Sequence, residues 1–363
     1  MNLPHSTPKS IVFAHVLNST IPARREMRRL GIALLGCAAI ALGGQRAPAQ
    51  TSVLTEPVVT PPNSFTPPNF PIPTFPPRHY NVKDFGAQGN GSANDTQAFD
   101  QAIQKANSDG GGIVDVPSGT YMVASVQIMS NVELALDDSA TLKGLAGAFD
   151  APEPNPYDKF QDFGHDHFHT GLLWGENIDN FAIVGGTIHG GAITHGTPKQ
   201  GGGDKQIAIK VGRNILIQGV HHINGGHFVY LLNDCQNVTI ANDTVVGSRD
   251  AIDLMNCSNV QVHDCHYTDC EDDTLGIKTD YALGKTITSS NIYAWNDYFE
   301  SGCNGVQFGS ETAGDFQSRR FAGRAQPQNV RRLQGQFVKS HGRIDYSARS
   351  RAVDLQRDKV RGR

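Results

Sequence analysis

Three carboxylate side chains occupy equivalent places in neighbouring repeats of the sequence. Asp250 stands two residues before the segment Ile252–Met255, and Asp273 stands two residues before Leu275–Lys278, with Asp272 beside it. Like charges about 5 Å apart raise the pKa of at least one member of a cluster. Such a cluster suits the hydrolysis of a glycosidic bond, which needs a protonated acid for the leaving oxygen and an ionised base for water. The alternative interpretation of the adjacent aspartates is a turn pair or a set of calcium ligands.

Four further polar residues are predicted to bind substrate beside these aspartates. His227 and Asn304 fall in the same column as the aspartates that precede the strands, because equivalent positions of a repeat stack. Arg249 is expected to lie near Asp272. Lys278 is expected to hold an acidic sugar or to stabilise that aspartate by its charge, and a solvated surface lysine is the alternative.

The elements that would position these residues are short and recur every 22–23 residues. Segments rich in β-forming residues begin at Asn214, Asn237 and Asn259, and each repeat carries a second strand about 15 residues later. This period without helices excludes a doubly wound sheet, and the Leu-x-Leu framework of leucine-rich repeats is missing. The pattern predicts an all-β, right-handed, single-stranded parallel β-helix. The recurring asparagines are expected to form a buried ladder along it, or else to be simple turn residues.

A short helix near residues 95–107 is predicted to cap the start of the β-helix. Its apolar face would consist of Phe99, Ala102, Ile103 and Ala106. Upstream, nine prolines fall within residues 51–77, so residues 50–79 are predicted to be an extended linker. The β-helix domain is expected to cover residues 80–315.

Residues 1–49 have the pattern of a secretory signal peptide. Four arginines precede the apolar run Leu30–Leu42, and Ala47–Ala49 fits a cleavage site with small residues. Met27 is an alternative start, a buried helix is an alternative structure, and Cys37 lies in a sequence that resembles a lipoprotein signal. The protein is therefore expected to be secreted, extracellular or periplasmic. Five cysteines follow the signal, so at least one thiol is expected to be unpaired in a monomer.

The charge of the chain is unevenly distributed. The net charge is −4, but residues 316–363 contain 11 Arg and 2 Lys against 3 Asp. Their net charge of +10 leaves −14 for residues 1–315, which argues against a nucleic-acid partner for the main domain. The repeat pattern also stops here, so residues 316–363 are predicted to be an irregular Arg-rich tail. A truncated or frame-shifted end is the favoured explanation, and a nucleic-acid-binding tail is the alternative.

A run of alternating histidines lies between the linker and the repeats. His165, His167 and His169 could share one face of a strand and bind a metal or a sugar, or form ordinary surface. No fourth ligand stands at a suitable spacing. The sequence therefore predicts neither a metal nor a cofactor.

The chain resembles glycoside hydrolase family 28, which contains the polygalacturonases and rhamnogalacturonases of the pectin-lyase-like superfamily. The resemblance covers about residues 80–315, and four segments carry most of it: Tyr80-Asn-Val-Lys-Asp-Phe-Gly-Ala, Ser248-Arg-Asp-Ala-Ile-Asp253, Glu271-Asp-Asp-Thr-Leu-Gly-Ile-Lys278 and Cys303-Asn-Gly-Val-Gln-Phe-Gly-Ser-Glu311. The resemblance implies inverting hydrolysis, with Asp272 as general acid and with Asp250 and Asp273 activating water. The acid and base of an inverting enzyme are expected about 6.5–9.5 Å apart. Asn304 stands where the family has His, and the family's Arg-x-Lys motif has no match.

The resemblance also implies a substrate class, and two alternative functions remain beside it. We expect a monomeric hydrolase whose partner is a pectin-type polysaccharide, either galacturonan or rhamnogalacturonan, and whose contact with a membrane is limited to a lipid anchor. One alternative is a β-helix polysaccharide lyase or uronate epimerase, which would need calcium and a base for the C5 proton. Another alternative is a non-catalytic carbohydrate-binding solenoid.

Overall fold

A computed structural model describes residues 66, 68–160, 163–191, 193, 203–317, 320–321 and 345–346. The predicted signal peptide and most of the predicted linker and tail lie outside these residues. Within the described part of the chain, no helix is both long enough and apolar enough to cross a membrane.

Short strands follow one another along the described chain. In chain order they are β1 (His79–Asn81), β2 (Asn90–Asn94), β3 (Gly112–Val116), β4 (Gly119–Val123), β5 (Val126–Gln127), β6 (Val132–Leu136), β7 (Ala140–Gly144), β8 (Gly171–Val184), β9 (Thr187–His189), β10 (Lys205–Gln218), β11 (His221–Ile223), β12 (Phe228–Ala241), β13 (Thr244–Ser248), β14 (Asp250–Met255), β15 (Ser258–His263), β16 (His266–Cys270), β17 (Leu275–Thr279), β18 (Ser289–Trp295), β19 (Tyr298–Ser301), β20 (Val306–Thr312), β21 (Phe316–Gln317), β22 (Arg320–Phe321) and β23 (Asp345–Tyr346). The helices are α1 (Thr96–Ser108) and α2 (Phe163–Asp166), with 3₁₀ helices at Val82–Phe85 and Asp158–Phe160.

The strands stack in parallel into two main sheets. One sheet runs β1-β3-β6-β8-β10-β12-β14-β17-β20, and off this path β5 pairs with β8, β15 with β12, β18 with β15, and β21 with β18. The other runs β19-β16-β13-β11-β9-β7-β4-β2, and β22 pairs with β23 separately. Each coil of the chain therefore adds to both main sheets before it climbs to the next level. This confirms the predicted right-handed parallel β-helix, in the hand that parallel crossovers adopt.

Columns of apolar side chains fill the space between the sheets. Ile215 pairs with Val238, Val238 with Val260, and Val260 with Ile292, and all four are buried. Burying one such side chain contributes about 1.5–3 kcal/mol. The solenoid is thus held by repetition of one local contact from coil to coil.

The predicted asparagine ladder runs along the β-helix. Asn237 donates to Asn214 at 2.9 Å, Asn259 donates to Asn237 at 3.0 Å, and Asn291 donates to Asn259 at 3.0 Å. The ladder continues to Asn180 and Asn131 on the earlier coils. Its members have φ between 53° and 62°, the left-handed region in which Asn is favoured. They are half-buried rather than buried, because each stands at a corner of the coil.

Helix α1 covers the first coil as predicted. Phe99, Ala102, Ile103 and Ala106 are buried on its inner face. The side chain of Asn94 accepts a hydrogen bond from the Thr96 backbone N–H at 3.0 Å, close to the helix start.

The β-helix extends slightly beyond both expected ends. Strand β1 begins at His79, and β21 pairs Phe316 with Ser289. The Phe316 ring lies 6.0 Å from the Phe308 ring, centroid to centroid. The described sheet therefore runs two residues past the expected boundary at 315, and Phe316 packs against an apolar side chain of its own coil.

Candidate active site

One column of polar side chains forms at the entrance to successive strands. Strand β14 pairs Ile252 with Leu275 of β17, which in turn pairs with Val306 of β20. Asp250, Asp273 and Asn304 are thereby stacked, as predicted. The Asp273 backbone N–H donates to Asp250 Oδ1 at 3.3 Å, and Asn304 Nδ2 donates to Asp273 Oδ1 at 2.8 Å.

A second column lies beside the first and contains His227, which the sequence misplaced. Phe228, not His227, pairs with Asp250, so His227 stacks on Arg249 one position earlier. Arg249 Nη1 donates to His227 Nε2 at 2.9 Å, and its Nη2 lies 3.2 Å from Asp272 Oδ2. The contact between Arg249 and Asp272 is as expected. His227 is buried under this pair and is not among the residues that line the cavity, so the structure gives no support to a direct contact between His227 and substrate.

The two columns open into a cavity of about 220 Å³. Its lining consists of His165, Arg249, Asp250, Asp272, Asp273, Lys278, Cys303, Asn304, Gln307, Ser310 and Glu311. Small-molecule sites usually measure roughly 300–1,000 Å³. A polymer would therefore place only a short part of its length in this cavity.

The three aspartates differ in exposure. The Asp272 side chain is 38% exposed, whereas Asp273 is 8% exposed and Asp250 only 1%. Burial raises the pKa of Asp250 well above its usual range, and the nearby Asp253 adds to this, while Lys278 and Arg249 oppose it. Burial also raises the pKa of Asp273 to about 6, against the hydrogen bond from Asn304 that lowers it. The two carboxyls with raised pKa values are those that the resemblance assigns to water.

Asp272 and Asp273 are closer together than expected. One oxygen of each, together with the Cys303 thiol, lies within 4.8 Å of the others. The nearest oxygens are thus nearer than the expected spacing of about 6.5–9.5 Å, because the residues are adjacent in the bend before β17. A calcium site here is disfavoured by chemistry, since a thiol is a poor ligand for calcium and Arg249 already pairs with Asp272.

Lys278 is enclosed by carboxylates rather than exposed to solvent. Its Nζ lies 2.9 Å from Asp253, 3.5 Å from Glu311 and 3.6 Å from Asp250. These three charges raise the pKa of the Lys278 ammonium, which therefore stays charged. The interpretation as a solvated surface lysine is wrong, and its charge compensates Asp253 and Asp250 rather than Asp272.

Two residues of this cluster were not predicted to lie beside the aspartates. His165 Nε2 lies 2.9 Å from Asp253 Oδ2 and 3.3 Å from Lys278 Nζ, and both His165 and Asp253 are buried. His165 arrives on a segment that precedes the stacked repeats, so repeat alignment could not place it. Asp253 lies within one of the segments that carry the family resemblance, which was the only available signal. Lys278 Nζ sits beside the polar atoms of His165, Asp250 and Asp253, where a cation would otherwise bind.

Comparison with known sequences gives two family matches. Residues 114–319 match the profile of glycosyl hydrolases family 28. Residues 79–145 match a profile described as rhamnogalacturonase A/epimerase, pectate lyase-like. The first match covers the coils that carry Asp250, Asp272 and Asp273.

Comparison with individual proteins gives relatives in sequence and a solved structure of similar fold. A probable polygalacturonase of Vitis vinifera is 27% identical over 223 residues, which are 55% of this chain and 44% of that protein. An exopolygalacturonase of Thermotoga maritima superimposes with a TM-score of 0.58 at 20% identity, over 69% of this chain and 70% of that chain. A mannuronan C5-epimerase of Azotobacter vinelandii is 37% identical over 114 residues, which are 31% of this chain and 11% of that protein. This chain thus spans less than half the length of either curated relative. Since the family profile covers more than half of it, the chain belongs to family 28 of the glycosyl hydrolases.

Proposed function

We propose that this protein hydrolyses pectin-type polysaccharides, galacturonan or rhamnogalacturonan, with inversion at the anomeric carbon. The observation that carries the proposal is the convergence of Asp250, Asp272 and Asp273 on one cavity. Membership of family 28 and the similarity to polygalacturonases support the same reaction. A binding solenoid has no need for three carboxylates at one place, two of which are held at raised pKa values.

Asp273 is suited to be the base that activates water. Its pKa of about 6 lies close to the pH at which a general base is most effective. Asn304 holds one of its oxygens at 2.8 Å, and Asp250 accepts a hydrogen bond from its backbone N–H. The first contact holds the Asp273 carboxylate and the second joins its backbone to Asp250, which would bind the same water from the neighbouring coil.

The resemblance to family 28 assigns the acid to Asp272, which is the exposed member of the cluster. A leaving oxygen that enters from solvent meets this side chain before the buried pair. In the proposed step, water attacks the anomeric carbon and gives its proton to Asp273 while the glycosidic C–O bond breaks. Asp272 gives a proton to the leaving oxygen, so the products are two sugar ends and no group remains on the protein.

Arg249 is the better candidate for binding the carboxylate of an acidic sugar. Its side chain is 29% exposed, lines the cavity and contacts one carboxylate, that of Asp272, whereas Lys278 is enclosed by three carboxylates. A planar guanidinium also binds carboxylates in a fixed geometry. We therefore assign the recognition of uronate to Arg249 and assign charge compensation to Lys278.

A second candidate is a β-elimination or C5-epimerisation, which the identity to a mannuronan C5-epimerase favours. The two classes differ in product. Hydrolysis creates reducing ends without an unsaturated sugar, and inversion makes the newly formed end appear first as the opposite anomer. We expect proton NMR of fresh digests of polygalacturonate and rhamnogalacturonan to show this anomer. An unsaturated product that absorbs in the ultraviolet would favour a lyase, and C5 exchange without cleavage would favour an epimerase.

We also propose that the protein is exported and acts as a monomer without nucleic acid. Support comes from the sequence pattern of residues 1–49 and from the negative charge of residues 1–315. Cell fractionation, followed by sequencing of the mature N-terminus, tests export. A cytosolic protein that retains residues 1–49 would contradict it.

A further inference from the structure

A second polar cluster lies in the segment between β7 and β8, apart from the catalytic columns. It consists of Asp158 on a 3₁₀ helix, Asp166 at the end of α2, and His167 directly after it. One oxygen of each carboxylate and one imidazole nitrogen lie within 4.8 Å of one another. Two carboxylates and an imidazole are a donor set that suits a divalent transition metal.

Asp166 is the unusual member of this cluster because its carboxylate is fully buried and accepts no hydrogen bond from the described residues. It is 0% exposed, and neither of its carboxylate oxygens accepts a hydrogen bond within the described part of the chain. Asp280 is a buried carboxylate of the usual kind, because it accepts hydrogen bonds from Asn233, Asn256 and Ala282. A buried carboxyl group that lacks such donors takes up a proton, pairs with a cation or binds a metal.

The orientation of His167 gives a second, independent observation. Its Nδ1 lies 2.6 Å from the carbonyl oxygen of Glu153, which can only accept, so Nδ1 carries the hydrogen and donates. This is the contact by which metal-binding histidines fix their tautomer and turn the Nε2 lone pair to the ion. Here Nε2 faces Asp158 Oδ1 at 3.4 Å and Asp166 Oδ1 at 3.5 Å.

The distances from His167 Nε2 to the two carboxylate oxygens match the separation between two ligands of one metal ion better than the length of a direct ion pair. Charge-assisted N–H···O bonds measure about 2.7–2.9 Å. Ligands about 2.0–2.1 Å from a tetrahedral zinc ion lie about 3.3–3.4 Å from one another. We propose that Asp158, Asp166 and His167 bind one divalent cation, with zinc the best match to the donor set, and that water completes the shell on the side of the half-exposed Asp158.

The ion would hold this segment against the active site. It would join the 3₁₀ helix to the end of α2, directly beside His165, which reaches Asp253 in the catalytic cluster. Asn155 also ties the segment down, since its Nδ2 donates to the carbonyls of Asp166 and Ala282. The proposed role is therefore structural, and the ion is not assigned to the hydrolytic step.

Another His–carboxylate cluster in the same region serves as the matched control. Glu153, His169 and Glu176 are also close together. The Glu153 carboxylate, however, accepts hydrogen bonds from the backbone N–H groups of Phe168 and His169, and Lys210 lies 3.3 Å from Glu176. Both carboxylates of this cluster therefore already have hydrogen-bond donors or a cation beside them. We expect Glu176→Gln to leave metal binding unchanged.

The test is zinc binding by the full untagged chain, measured by mass spectrometry of metal content and by calorimetric titration after chelation. We expect one zinc per chain, a melting temperature that rises on zinc addition, and at least about 100-fold weaker binding in Asp166→Asn and His167→Gln. Asp158→Asn alters a half-exposed side chain and should fold normally, so it keeps the test valid if the buried variants unfold. Absence of zinc binding by the wild-type chain would overturn the proposal, as would equal loss in Glu176→Gln or unchanged affinity in Asp158→Asn. None of these readouts depends on polysaccharide hydrolysis.

Discussion

Asn304 shows at the residue scale how a neutral side chain tunes a catalytic carboxylate. Its amide donates to Asp273 at 2.8 Å and lowers a pKa that burial raises. The resemblance to family 28 places a histidine at this position. Because Asn does not titrate, the acid limb of the pH profile should report Asp273 without a second group from this position.

The pH dependence of hydrolysis gives the first prediction. Asp273 must be ionised to accept a proton, so kcat/KM should fall as the pH drops below about 6. Asn304→Ala removes the donor that favours the ionised form, and the acid limb should therefore move to higher pH. Gln307→Ala is the control, since Gln307 lines the same cavity without bonding Asp273. An acid limb that stays in place in Asn304→Ala would contradict this role of Asn304.

Lys278 gives a prediction about stability. Lys278→Met would leave Asp253, Asp250 and Glu311 without their buried cation. Breaking a buried pair by removing one partner usually costs about 3–5 kcal/mol. Lys285→Met is the control, because Lys285 pairs with Asp234 at the surface and such pairs contribute at most about 1 kcal/mol. Urea unfolding measures both, and equal losses of unfolding free energy would refute the buried role.

The sequence predicted the aspartates of the site but not the residues around them. Asp250, Asp273 and Asn304 repeat with the coils, so stacking alone aligns them. His165 and Asp253 are 88 residues apart and meet only because the segment before β8 folds back over the coils. Repeat spacing carries no information about such a return.

The asparagine ladder connects the coils at the scale of single elements. Asn237 has a φ of 58° and forms hydrogen bonds with Asn214 and Asn259. This conformation costs a non-glycine residue without a compensating side chain about 1–2 kcal/mol, and each hydrogen bond contributes about 1 kcal/mol. The asparagines of the ladder therefore both tolerate the left-handed backbone conformation and join neighbouring coils by hydrogen bonds.

Two substitutions at Asn237 separate these contributions. Asn237→Ala should lose about 2–4 kcal/mol of unfolding free energy, because it loses the hydrogen bonds and keeps the strained φ. Asn237→Gly loses the same bonds without the strain, and should be about 1–2 kcal/mol more stable than the Ala variant. Thermal and urea unfolding of the two variants measure the difference. A glycine variant no more stable than the alanine variant would argue against strain at this corner.

Strand register was the weak point of the sequence prediction. Residues Phe228–Leu232 of β12 are all buried, so the usual alternation of apolar and polar residues is missing. In β14 and β17 a polar residue two places before the first inward apolar side chain marks the register. In β12 the equivalent position, opposite Asp250, is Phe228. The sequence alignment of the repeats placed the neighbouring polar residue, His227, there instead.

At the scale of the whole molecule, the fold was predictable because one local pattern repeats. Each coil forms the same contacts with its neighbour, so a period of 22–23 residues and one recurring asparagine were sufficient evidence. The segment between β7 and β8 has no counterpart in the repeat. Its three histidines could have shared a strand face or formed ordinary surface by their spacing, and in the structure they reach three different clusters, around Asp253, Asp166 and Glu176. The positions of these histidines could therefore not be predicted from the repeat.

The central claim is that Asp250, Asp272 and Asp273 together hydrolyse a pectin-type polysaccharide. The most direct measurement is the release of reducing ends from polygalacturonate and rhamnogalacturonan by the wild-type chain and by Asp272→Asn and Asp273→Asn, with ultraviolet absorbance of the products recorded in parallel. The exposed Asp138→Asn is the control for the substitution itself. We predict release without ultraviolet absorbance by the wild-type chain and the control, and a loss of about 10²–10⁴-fold in each catalytic variant with the fold retained. Undiminished release by Asp272→Asn or Asp273→Asn, or no release by the wild-type chain from either polymer, would contradict the account.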